Sequence, residues 1–396
     1  MKRSIARILT THVGSLPRPN DMLEALQAKM AARPVDEEAF KARLPGAVRD
    51  VVRLQAEHGL DVINDGEVGK PSFTLYVNER LSGFEYREVA DAELAKMSHH
   101  LAGSREFLAF PEYYQPERLI RNVLAGPRPR QAVCTGPIAY TGRAQLERDM
   151  ANLRAALGEV RVEEAFVPAA APHAVAFRRA NEYYRTTEEF EVAIAEAMRA
   201  EYAAIVEAGF LLQVDDPHLV TYYTRTPELS LADYRRWAER HVELLNYALH
   251  GIPRDRVRFH TCYSVAFGPR VHELEFKHVI DLVLKIHAGA HSFEASNPRH
   301  DHEWALWRAH KPPEDTVLIP GVVTQSTVTV EHPELVAERI ERFAGVVGRE
   351  NVIAGVDCGF ASTARSADMP DSVIWAKLDA LVEGARIASK RLWGGE

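Results

Sequence analysis

Apolar residues cluster along the chain in short unbroken runs. The runs at 9–13, 61–64, 131–135, 210–214, 257–262, 291–294, 317–323 and 352–357 read as strands, and none alternates apolar with polar. Continuous apolar strands are what a parallel sheet buried on both faces requires. Between most of them the apolar period becomes helical. Such stretches run from Asp21 to Met30, from Asp36 to His58 before Gly59, from Leu231 to His250 before Gly251, and from Asp371 to Trp393. Thr186-x-x-Glu189 is a capping box that opens a helix ending at Gly209. Pro333 opens another that ends at Gly348. Eight strands interleaved with helices predict an α/β chain folded as a (β/α)8 barrel, with residues 1–396 as one domain. Two excursions interrupt the pattern, after strands 2 and 3. Residues 85–130 fit neither period and are rich in Pro, Tyr and His, including His99-His100. The second excursion surrounds Val167-Pro168-Ala169-Ala170-Ala171-Pro172. An open doubly wound sheet is the alternative, but the chain has no Gly-x-Gly-x-x-Gly turn and no phosphate loop.

Composition narrows the functional classes. The net charge is −8, and Lys and Arg are scattered among Asp and Glu, which argues against nucleic-acid and membrane partners. Met1 to Thr10 is basic but lacks the apolar segment of a signal peptide. Three cysteines, Cys134, Cys262 and Cys358, are too few for a disulfide framework and fit a reducing cytoplasm. Nothing in the composition reads out oligomeric state, and a homo-oligomer stays open.

The candidate chemistry lies at strand ends. Ser15, Glu67, Asp215, Cys262, Glu294 and Cys358 each fall at or just beyond the C-terminal end of a predicted strand. In a (β/α)8 barrel those ends form the face that carries active sites. His260 and Cys262 are two apart, so in a strand they project to one side. An isolated His-x-Cys is a common coincidence. With Glu294 and Cys358 it completes one nitrogen, one oxygen and two sulfurs, a tetrahedral zinc set. Two thiolates make such a zinc a poor activator of water and a good holder of an incoming thiol as thiolate. Plainer readings exist for each residue: Glu67 as a cap, Asp215-Asp216-Pro217 as a helix start, Glu294 as a turn residue. Cys134 reads as a small buried apolar residue. His300-Asp301-His302 reads either as a metal motif or as a loop of ion pairs and caps.

In this order the motifs resemble the catalytic barrel of the cobalamin-independent methionine synthase family. They are Thr11-His12-Val13-Gly14-Ser15-Leu16-Pro17, Asp65-Gly66-Glu67, Thr135-Gly136-Pro137, Val214-Asp215-Asp216-Pro217, His260-Thr261-Cys262, Glu294 and Asp357-Cys358-Gly359. The resemblance implies a barrel with Zn2+ on His260, Cys262, Glu294 and Cys358. It also implies that Ser15, Glu67 and Asp215 hold the amino acid part of homocysteine, with Glu67 and Asp215 as the catalytic carboxylates. The implied reaction is transfer of a methyl or alkyl group to this small thiol. Two departures stand out. Full methionine synthases carry a second, N-terminal barrel with no counterpart in these 396 residues. Where the family has Asp-x-His after the seventh strand, this chain has Thr324-Gln325-Ser326. Both excursions, and Asn297-Pro298-Arg299-His300-Asp301-His302-Glu303-Trp304, look more like the single-barrel branch that includes epoxyalkane:coenzyme M transferase, so thiol addition to an epoxide is the alternative. A zinc-carrying binding protein without catalysis is a third reading. The methyl or alkyl donor stays open.

Overall fold

The computed structural model describes residues 1–31, 33–89, 103–115, 130–177, 179–263, 268–364 and 369–394. The expectation placed on His99-His100 lies outside these residues. Eleven strands follow in chain order among them: β1 Leu9–Thr10, β2 Val62–Ile63, β3 Phe84–Glu88, β4 Arg130–Cys134, β5 Glu164–Ala170, β6 Ala180–Asn181, β7 Leu211–Asp215, β8 Val257–Thr261, β9 Ala290–Glu294, β10 Val317–Val323 and β11 Ile353–Val356. Eight are parallel neighbours in the order β1-β11-β10-β9-β8-β7-β5-β2. A parallel bridge from Thr11 to Val62 joins the two ends, which closes the sheet into the (β/α)8 barrel.

One expected strand is elsewhere. Residues 131–135 lie in a separate three-stranded sheet, β3-β4-β6, and not in the barrel. The barrel's third strand is β5, within the stretch that the sequence pattern marks as a surface excursion. Pro168 gives this strand the sequence character of a loop. Proline lacks an N–H and is normally kept out of central strands, yet Pro168 pairs opposite Gln213 in β7. The long insertion therefore follows β2. The segment after β5 contributes only the short helix Pro172–Ala176 and β6. The helices keep their expected bounds closely, as in Glu37–Glu57, Thr187–Glu207, Leu231–Ala248, Pro333–Val347 and Asp371–Trp393. Thr186 Oγ1 accepts from Glu189 N, as the capping box requires.

Side-chain alternation sorts each strand into an inner and an outer face. Phe259 and Phe293 face out and join the core under the helices. At the N-terminal strand ends, Leu9, Val317, Ile319 and Ile353 form one small apolar cluster, and Val62, Phe166 and Leu211 form another. Met1 packs on both, so the bottom of the barrel is plugged. Above them the interior turns polar. Arg258 lies over Phe166 at 4.0 Å and donates to Thr11 Oγ1 and the His12 carbonyl. Gln213 donates to Asp215 Oδ1 at 2.8 Å. The inner faces thus rise from Leu211 through Gln213 to Asp215, and from Arg258 through His260 to Cys262.

Candidate functional site

Three donors meet where β8 and β11 end. His260, Cys262 and Cys358 are all buried, and one ligand atom from each lies within 4.8 Å of the others. The two sulfurs are 2.9 Å apart with no disulfide between them. Strand register sets the geometry: His260 sits opposite Asp215 on one side and Ser292 on the other. Its Nδ1 is 3.0 Å from Ser292 Oγ, whereas Nε2 is buried without a hydrogen-bond partner among the described residues. A buried ring nitrogen with no partner costs free energy unless something else satisfies it. Burial, aided by Arg258, pushes His260 down to about 3, so the ring is neutral with a lone pair to give. A neutral imidazole beside two thiols suits a borderline-soft divalent ion.

Glu294 stands at the edge of this cluster and outside the group of three. Its Oε1 accepts from Tyr263 N at 2.7 Å, and Oε2 accepts from Asn297 Nδ2 at 3.1 Å and Arg270 at 3.2 Å. Burial raises Glu294 to about 7, against the pull of Arg270. Arg270 therefore supplies positive charge where Glu294 and the sulfurs converge. Asp357, next to Cys358, accepts from Ala295 N, Ser296 N and Ser296 Oγ. That ties the ends of β9 and β11 together and fixes the height of Cys358.

The second group begins one residue on from Cys358. A Cβ at Gly359 would collide with Ser15 Oγ, so the backbone passes directly against that hydroxyl. Ser15 Oγ accepts from Ala361 N at 3.3 Å. A Cβ at the neighbouring Gly14 would lie 2.5 Å from Glu67 Oε1. Glu67 has φ +53°, a conformation non-glycine residues seldom adopt, in a turn fixed by Asn64 Oδ1 and Asp65 Oδ1. Glu67 Oε2 is buried with no hydrogen-bond partner among the described residues. Asp215 faces it across the barrel mouth. Burial raises both carboxyls, and Glu67 adds to the rise at Asp215. Asp216 turns away and caps the helix His218–Arg225 through Leu219 N. The metal-type donors, Ser15 and the two acids are therefore linked by direct approaches over one barrel mouth.

Some participants carry no sequence signal of their own. Lys70 is buried, donates to the Pro168 carbonyl at 2.7 Å, and acts on both Glu67 and Asp215. It follows Glu67 by one turn, and that spacing is the only signal that could have found it. Arg270 had none. His300-Asp301-His302 does not assemble a metal site. His300 bridges Glu273 and Glu303 at 3.1 and 2.7 Å, and these hydrogen bonds overcome desolvation and raise it to about 9. Asp301 pairs with Arg339 and Arg342, and His302 is exposed. Ser326 is half-buried and hydrogen-bonded to Thr324 Oγ1 at 2.8 Å. Cys134 is buried in β4, as expected of a small apolar residue.

Comparison with known proteins places these features in context. The profile of the "Cobalamin-independent synthase, Catalytic domain" family matches residues 8–98 and 133–378. The methionine synthase of Thermococcus kodakarensis is 24% identical over 387 residues, covering 97% of this chain and 94% of that protein. The methionine synthase of Saccharolobus solfataricus is 25% identical, covering 97% and 95%. Among solved structures, a B12-independent methionine synthase from Shewanella sp. W3-18-1 in complex with selenomethionine superposes with a TM-score of 0.70. It is 19% identical and covers 98% of this chain and all of that one. A putative vitamin-B12 independent methionine synthase from Listeria monocytogenes gives 0.65 at 20% identity, covering 97% and 98%.

Proposed function

The chain belongs to the cobalamin-independent methionine synthase family, and from that premise we propose that it transfers a methyl group to the thiol of homocysteine with the aid of Zn2+. The observation that carries this reading is the placement of a neutral His and two thiols beside a pair of buried carboxylates at one barrel mouth. His260, Cys262 and Cys358 would hold the ion, with Glu294 as the fourth and yielding ligand. When bound, zinc supplies a Lewis acid that keeps a thiol in its thiolate form while leaving it nucleophilic.

The rest is done by side chains of this chain. Ser292 holds His260 by Nδ1, so Nε2 is the nitrogen that would hold the ion. Arg270 and Asn297 hold Glu294 beside the sulfurs when the carboxylate is not a ligand. Glu67 and Asp215 accept the substrate ammonium, and Ser15 Oγ with nearby backbone N–H groups meets its carboxylate. Anchoring both ends of the amino acid fixes where the sulfur can lie, which is the positioning component of catalysis. Two acids facing each other suit an amino-bearing thiol and have no role toward a thiol without one.

The test is zinc-loaded protein incubated with homocysteine and, in turn, a methylated folate, a methylated corrinoid and a small methylated compound. Zinc-dependent methionine from at least one donor is expected. No methionine from any donor, with homocysteine still bound, would sink the proposal.

Proton linkage gives an independent check. In the free site burial holds the Glu67 and Asp215 carboxyls above their ordinary range, with Asp65 adding to the rise at Glu67 and Glu67 to that at Asp215. A bound ammonium favours the ionised forms and lowers both. The complex then carries fewer protons, so binding releases protons and tightens as pH rises above about 4, the ordinary carboxylate value. Folding has the opposite sign: a carboxyl raised in the free protein keeps more protons folded than unfolded, so the free protein loses stability as pH climbs through that interval. Titration calorimetry in two buffers of different ionisation enthalpy should give different apparent heats. Identical heats would reject the linkage.

A further inference from the structure

A second group of metal-type donors lies away from the thiols, among residues that no motif marks. His173 is on the short helix Pro172–Ala176 that directly follows β5. Glu191 is near the start of the helix Thr187–Glu207, and His241 is in the middle of Leu231–Ala248. One ligand atom from each lies within 4.8 Å of the others. His173 Nδ1 is 3.6 Å and His241 Nε2 is 3.5 Å from the same oxygen, Glu191 Oε1. These separations are too long for good hydrogen bonds. They match the edge of a tetrahedron whose centre is about 2.0–2.1 Å from each corner, which is about 3.4 Å.

The hydrogen bonding points the same way. His241 Nδ1 donates to the Trp237 carbonyl at 2.7 Å, which fixes the tautomer and leaves the Nε2 lone pair toward Glu191. A backbone carbonyl on the far nitrogen is the usual outer partner of a metal-ligating histidine. His173 and His241 are only 8% and 6% exposed. Neither ring nitrogen of His173, nor Nε2 of His241, has a hydrogen-bond partner among the described residues. Trp237 packs on both rings, at 4.8 and 4.0 Å, and walls off one side. On the other side His173 and Glu191 line a cavity of about 400 Å³ that also presents Arg179, Asn181 and Tyr184.

We propose that His173, Glu191 and His241 form a second binding site for a borderline-soft divalent metal ion such as Zn2+. Two nitrogens and one carboxylate oxygen come from the protein, and the cavity supplies the fourth position to water or another small oxygen ligand. Three protein ligands with one open position is the arrangement that keeps an ion reactive.

The test uses the full chain, stripped by a chelator and titrated with Co2+ as a coloured substitute for Zn2+. Wild type should take up two equivalents, one with the sulfur-to-metal charge-transfer absorption of the thiol centre and one without. Glu191→Gln and His241→Gln should each lose the equivalent that lacks this absorption and keep the other. Retention of the charge-transfer band also reports that the variant barrel has folded. Cys358→Ser should show the reverse, so failure of the thiol centre and failure of this site are distinguishable. Crystals soaked in Zn2+ should give an anomalous peak within bonding distance of all three side chains. Uptake that Cys358→Ser abolishes and that both Glu191→Gln and His241→Gln leave unchanged would overturn the proposal, as would the lack of an anomalous peak at the triad.

Discussion

If His260, Cys262 and Cys358 hold zinc as proposed, Cys358→Ser is expected to release it and to abolish methyl transfer. Removing an outer-shell partner of a metal ligand costs about 10- to 100-fold in affinity or activity. Losing a thiolate ligand removes a direct bond, so the loss should exceed that range. Serine is nearly isosteric but a far poorer donor to a borderline-soft ion. The fold should survive, because Asp357 rather than the sulfur ties the ends of β9 and β11 together. Cys134→Ser is the matched control. It is also a buried thiol, donating to the Gly136 carbonyl at 3.3 Å, but it sits in β4 of the separate sheet. That variant should keep full metal content. Metal analysis on both proteins decides the matter, and undiminished zinc in Cys358→Ser would break the four-ligand arrangement.

Asp215→Asn should raise the KM for homocysteine and lower kcat/KM steeply. The asparagine keeps an oxygen for Gln213 Nε2, so the interior hydrogen bond persists. What is lost is the charge opposite the ammonium. Removing one member of a buried charge pair costs about 2–5 kcal/mol, or about 30- to several-thousand-fold. The effect should be selective. A thiol without an ammonium, such as 3-mercaptopropionate, should change only a few-fold between wild type and variant. Equal losses with both thiols would show that Asp215 does not receive the ammonium. Glu67→Gln should behave in the same direction, since Glu67 Oε2 is buried with no hydrogen-bond partner among the described residues.

Much of this architecture is legible in one dimension because the barrel repeats a local rule. Each strand is short, apolar and followed by a helix, so strands such as β7, β8, β9, β10 and β11 announce themselves. The exception shows why the rule works. β5 holds a proline in a central position, and it was hidden because local propensity argued against it. Tertiary pairing on both sides, with β2 and β7, overrode that propensity. Residues 131–135 have strand character of equal strength, but their partner is β3 in the separate sheet. Pairing partners are long-range facts that a pattern of apolar residues does not contain.

The same division holds at the site. Sequence by itself placed Ser15, Glu67, Asp215, Cys262, Glu294 and Cys358 at or just beyond strand ends, with His260 on the same side of its strand as Cys262, because period-2 alternation and strand termini are local properties. Only the tertiary structure decided how they meet. It brought His260 and the two cysteines within one ligand sphere and left Glu294 engaged by Arg270, Asn297 and Tyr263 N. It set Glu67 against Gly14 and made Lys70 a participant. It also assembled His173, Glu191 and His241 from three helices with no shared motif. Distances between side chains on separate elements depend on how those elements pack, and packing is fixed by the whole chain at once.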